Sequence, residues 1–453
     1  MKIKGVFLAA ILTVVLCFSG NLLAYSGGTG EPNNPYKIAN VTDFQQLSAT
    51  PTDCNKSFIL MADVNLAGVI LTPVGNSTTQ FIGIFDGNDN IISSADINQP
   101  GSDYVGLFGY VGSGGQIRNL GVDDVNMTGH YYVGGLVGWN EGTLTSCYAT
   151  GSVSGSYSVG GLMGWNQYGL LTSCYATGSV SGTGGTCVGG LVGWNYSGAI
   201  TGCYATGSVS GTDAIVGGLV GRNYSGAITG CYATGPVSGT SYVGGLVGRY
   251  WEGTITSCYA TGSVSGTSPV GGLVGANGVL YASGGTITSC YATGSVTGTG
   301  SSVGGLVGSS SSGTITVCFW DTQTCLPVTV GVGFGTSAGV TGKTTVQMKT
   351  LSTFTSPPAS WDFTNETTNG TNDYWRMCAD DVDYPRLNWQ SLDGDLACPD
   401  DVSFIDFAYF AARWSTAGCS SSNNFCGGAD LNYDGVVNLV DFAIFAGQWL
   451  AGT

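Results

Sequence analysis

Charge is scarce in this sequence. Of 453 residues only 9% are charged, 28 acidic residues outnumber 12 basic ones, and there is one histidine, His130. A net charge of −16 argues against nucleic acid and anionic membrane surfaces as partners, because both are bound through clustered Lys and Arg. With a single imidazole, the serines and cysteines form no recognisable nucleophile–base spacing, and His-based metal sets are excluded. Lys, Glu and Ala are few and Val, Thr, Ser and Tyr many, a composition of strands and turns rather than helical bundles.

Long apolar runs are missing too. Beyond the first two dozen residues nothing approaches the ~20 apolar residues that span a bilayer, and the last residues, "AGQWLAGT", carry neither an apolar tail nor a basic stop. The exception reads as a signal peptide over 1–24: Lys2 and Lys4, an apolar stretch from Val6 to Phe18, and a cleavage site after Ala24. Leu16 stands before Cys17 where lipid attachment would need a small residue. The expectation is a secreted, extracellular protein with no membrane span, free or held at a cell surface by other means.

What is abundant is repetition. "VGGLVGWNEGTLTSCYATGSVSG", Val133 to Gly155, recurs so that Leu107, Leu136, Leu162, Leu191, Leu219, Leu246, Leu273 and Leu306 fall in register, at spacings of 26 to 33 residues. A period near 27 residues marks units that stack rather than fold alone. Each unit offers three β-type runs, such as Val133–Val137, Thr143–Ala149 and Ser152–Ser154, and no helical periodicity. The fold expected is mainly β, a right-handed parallel β-helix over 131–340, with 25–130 as N-terminal cap and first coils. Eight coils at ~4.8 Å each make a rod section about 38 Å long.

Stacked identical coils place identical side chains in ladders. The Leu ladder and the Leu144, Leu171, Ile200, Ile228, Ile255, Ile287, Ile315 ladder should face inward. Alternation from the Ile position would then bury Tyr and expose Cys in the recurring Cys-Tyr pairs from Cys147-Tyr148 to Cys318-Phe319. Stacked tyrosines overfill a narrow coil, so a bend between Ile and Cys is expected, with Cys in and Tyr out. The cysteine column reads first as small buried thiols, with inter-coil disulfides or metal binding as alternatives. After G-L-x-G the ladder runs Trp139, Trp165, Trp194, Arg222, Arg249. The indoles form either a flat outer strip on which sugars stack or a cover for a coil corner before the turn at Asn140, Asn166, Asn195 and Asn223.

The "GGLVG" core followed by "CYATGSVSG" resembles the GLUG-motif repeat of secreted bacterial proteins, many of them adhesin-like surface proteins. "PYKIANVTDFQQLSA" and "FIGIFDGNDNII" resemble the usual lead-in, and "CFWDTQT" and "YPRLNW" the usual lead-out. In the lead-in, Thr42 with Gln45 has the capping-box pattern of a short helix that would cover the open end of the coil stack. Residues 341–392, with Trp361, Trp375 and Trp389, should close the other end.

Parallel β-helices also carry polysaccharide-active enzymes, so a lyase or hydrolase using the acidic N-terminal coils is the alternative function. Between Tyr131 and Val317 the charged residues are Glu141, Asp213, Arg222, Arg249 and Glu252. Glu141 and Glu252 lie four coils apart, roughly 19 Å, too far for a glycosidase pair, which needs about 5–10 Å. The remaining candidates, Asp86, Asp89, Asp123, Asp124 and Arg118, include "FDGNDN", which has simple turn chemistry.

After Asp393 the texture changes. Asp430, Asn432, Asp434, Asn438 and Asp441 occupy positions 1, 3, 5, 9 and 12 of an EF-hand-type calcium loop, with Gly435 at 6 and the Val436 carbonyl at 7. "DFAIFAGQW" repeats "DFAYFAARW" 35 residues upstream, placing Phe407, Phe410, Ala411 and Trp414 on one helical face. Residues 393–453 therefore resemble a type I dockerin, a small α-helical module, which implies Ca2+ and a cohesin-like partner. The first loop, 395–406, departs from the pattern: Ala397 and Pro399 stand at ligand positions and Asp400 at the glycine. One disulfide is expected among Cys398, Cys419 and Cys426. The function read from all this is non-catalytic: adhesion, scaffolding or glycan binding by the rod, with Trp139, Trp165 and Trp194 as candidate ligand contacts, and a docking end.

Overall fold

A computed structural model describes residues 25–184, 187–278, 283–364, 372–377, 380–390, 404–419, 429–431 and 435–451. Residues 1–24, read above as a signal peptide, and residues 391–403 lie outside this set, so of the expected first calcium loop, 395–406, only the end is described. The protein is mainly β, a parallel β-solenoid of about ten turns with few helices.

Neighbouring coils pair in parallel with like on like. Leu171 pairs with Ile200, Ile228 with Ile255, Tyr175 with Tyr204, and Val192 with Val220. One coil comprises Val192–Tyr196, Ala199–Thr201, Tyr204–Ala205 and Val209–Gly217. The expected run Val133–Val137 is in fact two strands, Val133–Gly134 and Val137–Asn140, which belong to different sheets. Leu136 turns the corner between them, fully buried. Two glycines are required there, because a Cβ on Gly135 would lie 2.4 Å from the Gly161 carbonyl oxygen of the next coil. The run of small residues is thus the steric condition for coils to stack at strand spacing.

Every ladder Leu is at most 1% exposed, and the Ile column is as deeply buried until Ile315 at 5%. The bend before the cysteines is present in each unit. Ser146, Ser173, Ser257 and Ser289 have φ between 51° and 53°, and Gly202 and Gly230 sit at 60° and 59°. This left-handed residue inverts the alternation, turning Cys inward and Tyr outward.

At the N-terminal end a helix, Val41–Ala49, buries Phe44 and Leu47 over the first coils. Its cap is Asn40, whose side chain accepts the Asp43 N–H at 3.1 Å, and not Thr42 with Gln45. The helix starts two residues earlier than expected because Asp43 also accepts from the Ala39 N–H and from the Ser26 N–H and hydroxyl, locking the entry turn. Beneath it Phe58, Phe81, Phe85 and Phe108 pack edge and face.

The closing segment departs further from expectation. The last coil interior is filled by Trp320, 3% exposed, while Val340–Lys343 pairs with Cys318–Asp321. The three tryptophans then run back along the side of the rod over the tyrosine column. Trp361 packs on Phe319, Trp375 on Tyr291 and Tyr259, and Trp389 on Tyr232 and Tyr204. The Trp389 indole donates to the Gly230 carbonyl at 3.0 Å, and Gln390 bonds the Tyr259 hydroxyl. A column of rings stacked 4.7–5.0 Å apart offers a flat apolar surface, and covering it removes more apolar area from water than plugging an already filled end.

Helices Phe404–Ala411 and Leu439–Ala451 share a separate small core of Phe410, Cys419, Ala429, Val437 and Phe445. Of the stripe expected on the first helix only Phe410 is buried; Phe407 and Trp414 stay 40% and 46% exposed. With two short helices facing each other there is room for one ring from each at the centre, and Phe410 against Phe445, 5.3 Å apart, takes it.

Because each ladder Leu touches copies above and below, Leu219→Ala should leave a cavity and cost about 2–5 kcal/mol. Chemical denaturation followed by circular dichroism would measure it, and a loss under about 1 kcal/mol would contradict this account of the core.

Candidate functional site

The outward residue between two inward ones on the second sheet is the strip position. Val137 and Asn140 point in and Trp139 points out, and the same holds in the following coils. Trp139 and Trp165 stack at 4.8 Å with planes 4° apart, and Trp165 and Trp194 at 4.0 Å and 38°. Tyr110 continues the stack upstream at 5.5 Å from Trp139. Its hydroxyl and the Trp139 indole both donate to Glu141 Oε1, at 2.7 and 3.3 Å. Burial, then this carboxylate, raises the Tyr110 phenol well above its ordinary pKa, so it stays a donor. Tyr104 and Tyr132 border the strip, with Tyr132 edge-on to Trp139 and Trp165. All three tryptophans are half-buried, and they stand on a flat sheet face.

Downstream, Arg222 and Arg249 follow in the same register. Arg222 lies 4.2 Å from the Trp194 ring and 4.1 Å from Trp251, and Arg249 lies 4.1 Å from Trp251 and 4.5 Å from Tyr242. The strip is thus one continuous ladder of π faces and guanidiniums.

The asparagines behind the strip are internal. Asn140, Asn166, Asn195 and Asn223 are fully buried, and the side-chain amides of the first three each donate to the next Asn carbonyl oxygen at 2.6–2.8 Å, the column ending at Asn223 because Tyr250 follows it in register. Each also donates to a turn carbonyl, from Gly142 to Gly226. The N-x-S sequences at Asn195 and Asn223 are therefore structural, with no free amide for a glycan.

The acidic lead-in residues are engaged in turns and ion pairs. Burial would raise the Asp86 carboxyl, but the Asn88 N–H, Arg118 at 2.9 Å and Asn119 outweigh it and hold it below the usual range. Asp89 and Asp124 adopt φ of 60° and 51° as turn residues, and Asp123 accepts the Thr150 hydroxyl. Glu252 accepts from Ser225. A cleft of about 390 Å3 near the N-terminal helix, lined by Pro51, Thr52, Cys54, Asn55, Thr78, Thr79, Gln80 and Ile82, contains neither carboxylate nor imidazole.

In the C-terminal unit Asp430 and Asp441 are fully buried. Asp441 accepts the Leu431 and Asn438 N–H groups at 2.7 and 2.8 Å, and Asp430 accepts the Gly435 N–H at 2.9 Å, with Gly435 at φ 95°. These are the first and last positions of the predicted loop, folded toward each other with an oxygen-only donor set, and in that respect they fit a calcium ion. Asn438 Oδ1 caps the second helix through Val440 N–H, and its amide donates to the Val436 carbonyl. Asn432 and Asp434 lie outside the described residues, and among those described no three His, Cys, Asp or Glu groups gather as a metal set. Asp406, last residue of the first loop, is buried like Asp441.

The cysteine column, Cys147 to Cys318, consists of free, fully buried thiols. Successive coils are linked by N–H to sulfur contacts, Cys174 to Cys203 and Cys203 to Cys231, at 3.3 and 3.4 Å. Cys419 is disulfide-bonded; Cys398 and Cys426 lie outside the described residues.

A parallel solenoid whose ladders repeat G-L-x-G and Cys-Tyr-Ala defines a stacked-repeat β-solenoid protein. The repeats match "The GLUG motif" at 129–154, 155–181, 184–210, 214–238 and 239–265. The coils of Leu107, Leu273 and Leu306 fall outside these matches yet continue the same ladders. Two curated proteins are similar: "Halomucin" of Haloquadratum walsbyi, 37% identical over 145 residues, and a "Putative Gly-rich membrane protein" of Evansella cellulosilytica, 29% identical over 160 residues. The alignments cover 29% and 30% of this chain but only 2% and 18% of those proteins. A solved chain from Bacteroides ovatus, described as a "putative immunoglobulin A1 protease", aligns over 81% of this chain and 96% of its own, at 22% identity and a TM-score of 0.48. Among the described residues no helix is long and apolar enough to cross a membrane.

All seven column thiols are fully buried; burial pushes Cys147, Cys203, Cys231 and Cys290 up, whereas at Cys174 and Cys258 hydrogen bonds from the neighbouring cysteines outweigh burial and lower the thiol, so lack of access and not acidity is what protects the column. The seven should therefore resist a thiol reagent in the folded protein and titrate after denaturation. Rapid labelling of several under native conditions would overturn the inward assignment.

Proposed function

We propose that the protein is a non-catalytic, exported rod that binds linear glycans along its aromatic strip and is docked or held in place through a calcium-stabilised C-terminal module. The observation that carries the first half is the in-register stack Tyr110–Trp139–Trp165–Trp194 on a flat, almost uncharged face. Sugars pack their C–H groups against aromatic surface, and the outward margins of a ladder spaced by one strand offer repeated contacts to a repeating chain. The names of the two curated relatives, a mucin and a membrane protein, favour an extracellular or cell-surface setting. The alternative, a polysaccharide lyase or hydrolase in the acidic lead-in, finds its carboxylates already committed to turns and to Arg118.

For the second half, Asp430, Asn432, Asp434, the Val436 carbonyl, Asn438 and Asp441 would hold one Ca2+, supplying charge neutralisation for two buried carboxylates. Exposed Phe407, Trp414, Leu439 and Val440 give the helix pair an apolar face that suits a cohesin-like protein partner.

Affinity electrophoresis against a panel of soluble neutral and acidic polysaccharides should show retardation by at least one, abolished in a Trp165→Ala, Trp194→Ala variant; no retardation, or an unchanged variant, would reject the strip. Calorimetric titration of calcium into the full chain should give one site, absent from Asp430→Ala, Asp441→Ala. Heat identical in both proteins would remove calcium from this reading.

A further inference from the structure

The aromatic half of the strip is explained by neutral sugar rings; its arginine half is not. Arg222 and Arg249 are register neighbours one coil apart, so two cations repel each other at strand spacing. The chain has an excess of acidic residues to neutralise them, yet among the described residues neither takes part in an ion pair, whereas Lys56 pairs with Glu31 and Arg118 with Asp86. The Nε atoms of both arginines are shielded and have no acceptor, as is the Trp251 indole nitrogen between them. The polar neighbour of Arg222 is the Cys187 thiol, which burial pushes up to about 11 and keeps neutral despite the guanidinium. Trp194, Trp251 and Tyr242 hold both side chains by their faces, which fixes direction without supplying negative charge. Two half-buried, pre-oriented, uncompensated guanidiniums in a protein of net charge −16 form a built cationic spot on an otherwise repelling molecule.

We propose that Arg222 and Arg249 bind the carboxylates of a linear acidic polysaccharide that runs along the rod axis, its sugars lying against the outward margins of Trp139, Trp165 and Trp194. This rests on the glycan reading of the strip and names its ligand class. Guanidinium matches carboxylate in a planar, two-pronged geometry. The step between the two arginines, about 4.8 Å, is close to the advance of one sugar along an extended chain, so neighbouring uronic acids meet neighbouring arginines. Ladder order sets polarity of the site: aromatic margins upstream, charge recognition downstream.

The test compares oligomers of mannuronic acid with mannose oligomers of the same linkage and length, which differ only in the carboxylate, by calorimetry on the full chain. The acidic oligomer should bind at least about tenfold more tightly, weaken with added sodium chloride, and lose that margin in Arg222→Gln, Arg249→Gln. The Arg222→Lys, Arg249→Lys variant should retain part of it, and thermal melts confirm that each variant is folded. Equal binding of both oligomers, lost on Trp165→Ala, would overturn the inference and leave the glycan reading standing. If inorganic phosphate displaces the acidic oligomer at similar concentration, the spot is a simple anion site and the inference fails. Binding of neither oligomer, with no polysaccharide retarded in the panel, would remove both.

Discussion

Everything in this molecule depends on parallel strand pairing between copies of the same short sequence. Once coils stack at strand spacing, a residue in one unit must tolerate the same residue directly above and below it. Leu, Ile, Val and Ala do so by dispersion and exclusion of water, Asn by passing an amide hydrogen bond along the column, Cys by small size, and Tyr and Trp by stacking faces. Charged residues do not, and their near absence from 131–317 is a consequence of the stacking rule. Where two like charges are stacked, at Arg222 and Arg249, the aromatic rings around them mark the exception as a built one.

Much of this was readable from the chain. The leucine period located the coils, and the volume argument for Cys in and Tyr out anticipated a bend that the structure realises with a left-handed Ser or Gly, and with Val317 in the last unit. The split of the G-G-L-V-G run was not readable, because corner and strand glycines look alike until the neighbouring backbone is in place. Nor was the inward turn of the asparagines, since Asn before Gly is also what an exposed turn demands. The path of 341–390 depends on contacts such as Trp389 with Gly230, 159 residues apart, which local patterns do not encode.

The candidate site divides in the same way. Trp139, Trp165 and Trp194 were visible as a ladder, and so were the arginines after them. That Trp251, two positions further along its strand than Arg249, reaches between the two guanidiniums required the fold. In the C-terminal unit spacing picked out Asp430 and Asp441, which the fold buries and draws toward the same turn, whereas the helix-capping role of Asn438 competes with the ligand role that spacing alone gave it.

The clasp of 341–390 also alters how such a rod would come apart. A solenoid of nearest-neighbour contacts frays from its ends, one coil at a time. Here the last coils are spanned by a strap anchored as far back as Tyr204 and Gly230, so peeling one coil means breaking the strap's contacts with several. Under axial load the C-terminal portion would yield as a single block, late and abruptly, and progressive unwinding would belong to the unstrapped coils nearer the N-terminus.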